Sequence, residues 1–588
     1  MTNIFSDNGN YLLKNRYLQK NNAGEIIESP NELFRRVAKA VSKAELNWNK
    51  EINLKLWEDT FYNMMSNLFF LPNSPTLMNA GSNNQQLSAC FVLPIFDSMK
   101  SIHDTYEHAK SIQITGGGIG FNFSKISPKN HFAYSLSKHL SGPLSVIEDF
   151  DSLTNKVKIS GKRRGANMAI LDINHPDIEE FIDVKKKDGA LSNFNLSIAI
   201  TDEFMQAVAQ NDDWELIHPN YKYVVKKLNA KTLWNKIINA AWATGDPGVL
   251  FVDTINNNNP TIKLGQINAT NPCGEVPLLP YESCNLGSLN LVKFLKLNKR
   301  FNEINWKKLE ETIKYAVRFL DNVIEINQYI TPEIEKVSLG NRKIGLGVMG
   351  WADLLILLEI PYDSDKAVLL GEQLMQFIQE KAMEASIELA KIRGVFPNWD
   401  KSIYAPNTPI RNATRTSIAP TGSISIIANT SSSIEPLFAL AYEQRNILDE
   451  KSFTTVNESF LETLKKNNIY SENILNHIYA NGTVSGLHEI PLSIKNLYKT
   501  AIEIEPEWHL KHLLAFQKHI ENGVSKTINL AEHATIQEVA AIYNTAYAWK
   551  AKGISVYRYN SKNKQILYQG IISENNPCNV CNYSIDTY

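Results

Sequence analysis

Five consecutive residues, Asn271-Pro-Cys-Gly-Glu275, combine an amide, a thiol and a carboxylate. Pro272 restricts its own φ and biases the preceding residue toward an extended conformation, while Gly274 tolerates turns that other residues resist. The pattern predicts a tight loop on which the side chains of Asn271, Cys273 and Glu275 project to one side. The thiol could be a catalytic or redox group. The simpler interpretation is a turn that carries a buried structural cysteine.

The chain contains five cysteines, which is few for 588 residues. They are Cys90, Cys273, Cys284, Cys578 and Cys581. A sparse, odd-numbered set in a large chain argues against a disulfide scaffold and favours catalytic or redox thiols. The last two form a Cys-x-x-Cys pair in a polar C-terminal segment, where they could act as a swinging dithiol. A zinc half-site is the alternative for this pair, although neither a second pair nor a histidine cluster accompanies it.

The composition bounds the class of protein. Lys and Arg together number 60 against 61 for Asp and Glu, a formal net charge of −1, so nothing global indicates binding to nucleic acid or membranes. The N-terminus has no signal-peptide pattern, and no stretch approaches the length of a transmembrane helix. We therefore expect a soluble cytoplasmic protein. Its mass of 66.5 kDa predicts one large domain with appendages, or several domains.

Three further segments could hold phosphate groups. Residues 115–124 form a glycine-rich loop, but they match neither a P-loop nor the dinucleotide fingerprint. Residues 161–168 place three cations between two glycines, which suits either a polyphosphate or a solvated loop. Residues 415–425 combine a predicted strand with a hydroxyl-rich glycine turn, whose backbone amides could bind phosphate oxygens.

The periodicity of apolar residues predicts three regions. Helical spacing at the start of the chain indicates a small N-terminal helical region, residues 1–70. Strands alternate with helices over residues 80–560, which predicts an α/β barrel or a wound sheet. We assign residues 71–560 to this catalytic domain and residues 561–588 to a flexible tail with the redox cysteine pair. No internal repeat of solenoid period is present.

Taken in order, these segments resemble ribonucleotide reductases, and specifically the adenosylcobalamin-dependent class II enzymes. The resemblance covers nearly the whole chain. Its motifs are Leu71-Pro-Asn-Ser-Pro-Thr-Leu-Met-Asn-Ala-Gly81, Leu87-Ser-Ala-Cys-Phe91, the glycine-rich loop, Lys162-Arg-Arg-Gly-Ala-Asn-Met168, Asn271-Pro-Cys-Gly-Glu275, Pro420-Thr-Gly-Ser-Ile-Ser425 and the tail dithiol. It implies a ten-stranded α/β barrel made of two antiparallel halves, each of five parallel strands, with the loop around Cys273 as a central finger.

The resemblance also implies a function, that of a vitamin B12-dependent reductase of ribonucleoside diphosphates or triphosphates that makes deoxyribonucleotides for DNA synthesis. Cys273 would become a thiyl radical and abstract the ribose 3′ hydrogen, Glu275 would act as base on the 3′ hydroxyl, and Asn271 would hold the substrate. Cys90 and Cys284 would deliver two electrons as the 2′ hydroxyl leaves as water, ending as a Cys90–Cys284 disulfide. The tail pair would reduce that disulfide by thiol exchange.

Binding residues and partners follow from the same resemblance. The positions expected to contact substrate are Ser74, Ala89 through its backbone, Gly118, Thr421, Gly422, Ser423, Ile424 and Ser425. Those expected in the specificity site for a deoxynucleoside triphosphate effector are Asp97, Ser98, Lys162, Arg163 and Arg164. We also expect adenosylcobalamin as cofactor, a thioredoxin- or glutaredoxin-like reductant and a homodimer, and no protein-bound metal ion.

The source of the radical distinguishes the reductase classes. No glycyl-radical motif of the Arg-Val-x-Gly-Tyr type occurs near the C-terminus. The class I large subunit, which needs a separate radical-generating subunit, carries a Tyr-Tyr pair where this chain has Tyr557-Arg558. A guanidinium cannot relay a radical, so Arg558 favours class II, with class I as the alternative. The Asp-x-His-x-x-Gly cobalamin motif is absent, which agrees with class II enzymes that bind the cofactor without that histidine.

Overall fold

The computed structural model of the protein describes residues 4–130, 142–157, 165–296, 302–444, 453–561, 567–571 and 584–585. Ten strands of one sheet position the functional residues. In chain order they are β1 (Phe70–Pro72), β2 (Cys90–Leu93), β3 (Gly118–Asn122), β4 (Asn167–Asp172), β5 (Phe194–Ile200), β6 (Gly248–Phe251), β7 (Ser283–Asn290), β8 (Ile344–Met349), β9 (Thr527–Leu530) and β10 (Gly553–Arg558).

The pairing of these strands closes a barrel. Strands β2 to β6 pair in parallel in chain order, and β7 pairs in parallel with β8, as β9 does with β10. Single parallel bridges, Leu346–Thr416 and Ile418–Val524, place the extended segment 416–418 between β8 and the residues just before β9, where it completes the second half of the barrel. The two halves meet through antiparallel pairs, β7 with β2 and β10 with β6. The predicted barrel of two antiparallel halves, each with five parallel strands, is confirmed.

Strand β7 joins the barrel to the N-terminal part of the chain. All eight of its residues are buried. Its first residues pair with β2, where Cys284 stands opposite Cys90, and its last residues pair antiparallel with β1, where Leu289 stands opposite Phe70. A strand that is buried on both faces suits the centre of a layered domain, and this one places a cysteine inside the barrel.

Helices cover the outside of the sheet. Their bounds are Asp7–Leu12, Pro30–Ser42, Leu54–Ser66, Ser74–Asn79, Met99–Ile114, Gly142–Val157, Ile178–Asp183, Asp202–Gln210, Ala230–Thr244, Val252–Asn257, Trp306–Ile326, Pro332–Asn341, Trp351–Leu357, Asp365–Arg393, Ile424–Ala428, Glu458–Lys466, Glu472–Asn481, Leu492–Leu497, Pro506–Gln517 and Ile536–Ala548. Outside the main sheet, short strands pair at Ala269–Thr270 with Pro277–Leu278, Asp213–Ile217 with Val224–Asn229, Leu295–Lys296 with Glu303–Ile304, and within the set Ala441–Gln444, Phe453–Val456, Leu567–Gln569 and Ser584–Ile585.

The predicted N-terminal helical region is present and packs on the barrel. Its helix Pro30–Ser42 begins with a capping box, in which the Ser29 side chain and the Glu32 carboxylate each accept a backbone N–H of the other residue. Leu33 and Phe34 on this helix share one hydrophobic core with β1, β7, β8 and the helix Trp306–Ile326. The helical region therefore anchors the second half of the barrel.

The inside of the barrel has its own apolar cluster, which surrounds two of the cysteines. Val92, Ile170 and Leu250 from three strands of the first half pack with Cys90 and Cys284. This cluster surrounds both cysteines with apolar side chains. Among the described residues, no helix is both long enough and apolar enough to cross a membrane.

Candidate active site

The loop around Cys273 is a short hairpin, as its sequence predicts. Ala269–Thr270 and Pro277–Leu278 pair antiparallel at its base. Asn271 closes the turn, because its N–H donates to the Val276 oxygen at 3.3 Å and its Oδ1 accepts the Val276 N–H at 2.9 Å. Gly274 has a φ of +80°, a conformation that favours glycine. We call residues 269–278 the finger.

Two glycines of β3 make room for the finger inside the barrel. A Cβ on Gly120 would overlap the carbonyl oxygen of Thr270, and a Cβ on Gly118 would lie 2.9 Å from Cγ of Pro272. The glycine-rich loop, considered in the sequence as a phosphate site, therefore allows the close approach of two backbones.

Both halves of the barrel hold the finger. From β5, the Asn195 amide donates to the Pro272 oxygen at 2.9 Å. From the second half, the Ser417 hydroxyl and the Gly523 N–H both donate to the Glu275 carbonyl oxygen at 2.8 Å. The backbone of the predicted base is thus fixed by two donors that lie far apart in sequence.

The finger brings its functional side chains to the cysteine pair of the barrel wall. The Asn271 amide donates to the Cys90 sulfur at 3.2 Å. Cys90 and Cys284 are directly opposed on β2 and β7, which places their Cα atoms about 4.5–5.5 Å apart, within the range of a disulfide.

The two paired cysteines differ in access. Cys90 lines a cavity of about 1070 Å³, together with Asn271, Cys273 and Glu275 of the finger. Cys284 does not line this cavity and lies behind the residues that form its wall. The Cys284 sulfur donates to the Asn285 oxygen at 3.4 Å and to the Lys343 oxygen at 3.5 Å. Burial raises the pKa of the Cys284 thiol well above its usual range, so it stays protonated at neutral pH.

All the residues predicted to contact substrate line this same cavity. They are Ser74, Ala89, Gly118, Thr421, Gly422, Ser423, Ile424 and Ser425. Of the strand predicted within residues 415–425, the structure has only two single bridges, at Thr416 and Ile418, and the turn that follows leads into the helix Ile424–Ala428. Both main-chain groups of Ala89 are used in the sheet, since its N–H donates to the Cys284 oxygen at 3.1 Å and its oxygen accepts the Gly118 N–H at 2.8 Å.

Two residues of the N-terminal helical region contact hydroxyl groups that line the cavity. The sequence did not identify these two residues. The Tyr17 hydroxyl lies 2.8 Å from the Ser74 hydroxyl, and Arg16 donates to the Ser423 hydroxyl at 2.8 Å. Thr421 has a φ of +55° and accepts the Ser433 N–H on its hydroxyl at 2.7 Å. No local motif marks Arg16 or Tyr17, because only the folding of the chain brings them to the residues that line the cavity.

Charged residues at the same cavity were also missed. Asp353 accepts a hydrogen bond from the Thr430 hydroxyl at 2.8 Å, and burial raises the pKa of this carboxyl. Lys526, which is fully buried, pairs with Glu435. Lys552 lines the cavity where β10 begins. Buried charges are a signal that only the structure reveals, since the same residue types are usually exposed.

The predicted effector residues lie elsewhere. The Asp97 carboxylate accepts hydrogen bonds from the Ser127 hydroxyl and, at 3.0 Å, from the Asn220 amide. Ser98 caps the helix Met99–Ile114 by accepting the Ser101 N–H. The other effector predictions, Lys162, Arg163 and Arg164, and the tail pair, Cys578 and Cys581, fall outside the described residues.

Arg558 faces away from the cavity. Its guanidinium donates to the Trp242 and Glu532 carbonyl oxygens at 3.0 Å and lies 4.2 Å from the centre of the Trp242 ring. Arg558 is therefore a structural cation that binds main-chain oxygens and an indole ring. In the described part of the chain, no group of three or more His, Cys, Asp or Glu residues is arranged to hold a metal ion.

Comparison with known proteins agrees with this architecture. The family described as ribonucleotide reductase, barrel domain, matches residues 88–408 and 405–557, and the one described as ribonucleotide reductase, all-alpha domain, matches residues 4–85. The chain belongs to the ribonucleotide reductase family, a family of enzymes.

Similar proteins carry more specific descriptions. Two are described as vitamin B12-dependent ribonucleoside-diphosphate reductase. The one from Thermoplasma acidophilum is 42% identical over 96% of this chain and 80% of its own length. The one from Mycobacterium tuberculosis is 44% identical over 95% of this chain and 80% of its own length. The ribonucleoside-diphosphate reductase subunit alpha of Chlamydia muridarum is 31% identical over 94% of this chain and 58% of its own.

A solved structure shares the fold. The Actinobacillus ureae class Id ribonucleotide reductase alpha subunit matches with a TM-score of 0.77 at 24% identity, over 95% of this chain and 98% of the other. At this identity the match supports the fold alone.

Proposed function

We propose that the protein is a vitamin B12-dependent ribonucleoside-diphosphate reductase. The observation that carries the proposal is the convergence of two thiols, an amide and a carboxylate at one cavity inside the barrel, with the third thiol, Cys284, paired with Cys90 directly behind the cavity wall. The descriptions of two relatives at 42% and 44% identity support both the diphosphate substrate and the cofactor. The reaction replaces the 2′ hydroxyl of the ribose by hydrogen, and two thiols become a disulfide.

The finger would carry the radical chemistry. When bound, adenosylcobalamin would supply the radical that removes the hydrogen atom from the Cys273 thiol. The Cys273 sulfur would then take the ribose 3′ hydrogen, while the buried Glu275 carboxylate accepts the 3′ hydroxyl proton and Asn271 holds the sugar. A sulfur radical must be kept from water and oxygen, and the position of the finger inside the barrel would provide that shield once substrate and cofactor fill the cavity.

The cysteine pair would supply the electrons. The 2′ hydroxyl leaves as water, and Cys90 and Cys284 together give up two hydrogens as they form one disulfide. Cys273 would then return the hydrogen atom to C3′ and Glu275 the proton to the 3′ oxygen, so that atoms and electrons balance. Their opposed positions on β2 and β7 allow this bond without movement of the backbone. Cys90 faces the cavity and would be the sulfur that a tail thiol attacks.

The cavity has features that fit a corrin cofactor beside the substrate. Its volume of about 1070 Å³ is at the upper end of the usual range for ligand sites. Beyond the thiols, the wall offers aromatic faces from Phe438 and Tyr442, and hydroxyl and amide groups from Thr454, Thr455 and Asn457. These groups suit the flat, amide-rich ring. None of the described lining residues is a histidine, so none offers an imidazole to the cobalt.

The remaining parts of the proposal concern binding partners. The hydroxyl-rich turn at residues 421–425 would hold the substrate diphosphate through hydroxyl and backbone N–H groups. Asp97 and Ser98 would contribute to a deoxynucleoside triphosphate effector site together with residues 162–164. A thioredoxin- or glutaredoxin-like reductant, a homodimer and a cytoplasmic location remain predictions from the sequence.

Anaerobic reduction of CDP and CTP with dithiothreitol, with and without adenosylcobalamin and with and without dATP, tests the proposal. We expect strict dependence on the cofactor and a preference for CDP. A change in substrate preference on adding dATP would support the effector site. Activity that appears only with a separate metal-containing subunit would overturn the proposal in favour of the class I alternative.

A further inference from the structure

Lys552 is a buried lysine just before β10, and main-chain carbonyl groups surround its ammonium. Its Nζ donates to the carbonyl oxygens of Glu521 at 2.7 Å, Ile520 at 3.3 Å and Asn522. Among the described residues, no carboxylate lies within ion-pairing distance of it. Burial of an ammonium without a counter-ion is unfavourable, so the three carbonyl oxygens must provide most of its stabilisation.

These three carbonyls belong to a turn that lies against the finger. Gly523, the next residue, donates its N–H to the Glu275 oxygen at 2.8 Å, and a Cβ at Gly523 would lie 2.9 Å from the Gly274 oxygen. The Asn522 side chain donates to the Thr416 oxygen at 3.0 Å, which ties the turn to the barrel. Residues 520–523 are thus held by Lys552 and contact the backbone of the finger.

We propose that Lys552 is a positioning residue for Glu275, acting through the turn 520–523. Its three hydrogen bonds fix the direction of the Gly523 N–H, and that N–H fixes the backbone from which the Glu275 carboxylate extends. The inference rests on the proposed function, in which Glu275 is the base that must be aimed at the 3′ hydroxyl. A displacement of about 1 Å at such a group can lower a rate by roughly 100-fold.

The protonation state of Lys552 adds a second observable. Only the ammonium form has three donors, while the neutral amine would turn a lone pair toward a carbonyl oxygen. Burial lowers the pKa of Lys552 to about 7, and Lys343 nearby adds a like charge. The other charged groups around it are already paired, Lys343 with Glu282 and Glu521 with Arg415. Deprotonation of Lys552 should therefore loosen the turn as pH rises.

The test compares Lys552→Met, which keeps the length of the side chain but has no donor, with the wild-type chain. We expect kcat for CDP reduction to fall 10- to 100-fold, with KM changed less than about twofold because the phosphate turn is untouched. We expect kcat of the wild type to decline above about pH 7, and this decline should be absent in Lys552→Met. Lys550→Met, which removes an exposed ammonium two residues earlier, is the matched control and should leave kcat and its pH profile unchanged.

A second variant perturbs the contact between the turn 520–523 and the finger without changing Lys552. Gly523→Ala leaves Lys552 intact but pushes the turn away from the finger, and it should reproduce the loss of kcat at constant KM. This variant also tests the inference if Lys552→Met fails to fold. If either variant folds and shows the kcat and the pH profile of the wild type, the inference is wrong. It is also wrong if kcat, CDP affinity and thermal midpoint all fall together, because that would indicate a general loss of structure. If instead the proposed function is wrong, the wild type itself will not reduce CDP, so the two failures can be distinguished.

Discussion

At the scale of single residues, the proposal depends most directly on Cys273. Its thiol lies on the finger, partly exposed to the cavity, next to Asn271 and Glu275. Cys273→Ser is nearly isosteric, but its O–H bond is too strong to yield a radical under the same conditions. We expect CDP reduction to fall by more than about 10³-fold while CDP still binds, as measured by calorimetry. Residual reduction close to that of the wild type would exclude Cys273 as the radical site.

The residue scale also shows what the sequence could predict. The thiol, the amide and the carboxylate of the finger were identifiable, because a proline and a glycine beside them predicted a tight loop. All three side chains do line one cavity. Arg16, Tyr17 and Lys552 could not be identified in the same way. Each reaches the site through tertiary structure, and its neighbours in sequence carry no pattern that marks it.

At the scale of elements, the fit of the finger inside the barrel depends on a glycine. Gly120→Ala would place a methyl group on the carbonyl oxygen of Thr270. Neither group can rotate away, because the backbone fixes the position of a Cβ and the oxygen is itself a backbone atom. We expect a thermal midpoint lower by several degrees and loss of CDP reduction. Gly189→Ala is the control, since its methyl meets no atom within 4 Å and only the positive φ costs about 1 kcal/mol. Equal effects of the two variants would contradict the packing argument.

The barrel and the glycines of β3 show which elements could be predicted from the sequence and which could not. Alternation of strands and helices predicted an α/β barrel or a wound sheet, and the resemblance to a family was needed to choose the barrel. The strand predicted within residues 415–425 corresponds to two single bridges, at Thr416 and Ile418. The role of Gly118 and Gly120 was not, because a glycine that binds phosphate and one that admits a crossing backbone have the same local sequence.

At the scale of the whole molecule, the buried disulfide needs a carrier to an external reductant. Cys284 lies behind Cys90, and a thioredoxin-like protein is too large to enter the cavity. We expect Cys578→Ser combined with Cys581→Ser to block turnover with a protein reductant and to spare turnover with dithiothreitol, which is small enough to enter. Equal losses with both reductants would refute the role proposed for the tail.

A buried ion network connects the N-terminal helical region to the barrel. Asp321, which is fully buried, pairs with Arg342, Arg393 and Arg411, and Arg393 also pairs with Glu45 of the helical region at 2.7 Å. Burial disfavours the charged carboxylate, but the three guanidinium groups outweigh it and hold the pKa of Asp321 well below its usual range. The network therefore stabilises the folded chain only while Asp321 is ionised.

Asp321→Asn should destabilise the whole molecule, because it leaves three buried guanidinium groups without their shared anion, a loss of roughly 3–5 kcal/mol. The pKa of Asp321 in the folded chain lies below its value of about 3.9 in the unfolded chain. The contribution of Asp321 to the free energy of unfolding is therefore complete above about pH 3.9 and decreases as pH falls toward the folded-state pKa. The difference in thermal midpoint between wild type and variant should be constant from pH 5 to 8 and narrow below about pH 4. Asp104→Asn, which breaks an exposed pair with Lys100, should change the midpoint little at any pH. A difference that persists unchanged at pH 3 would mean that Asp321 contributes through packing rather than charge.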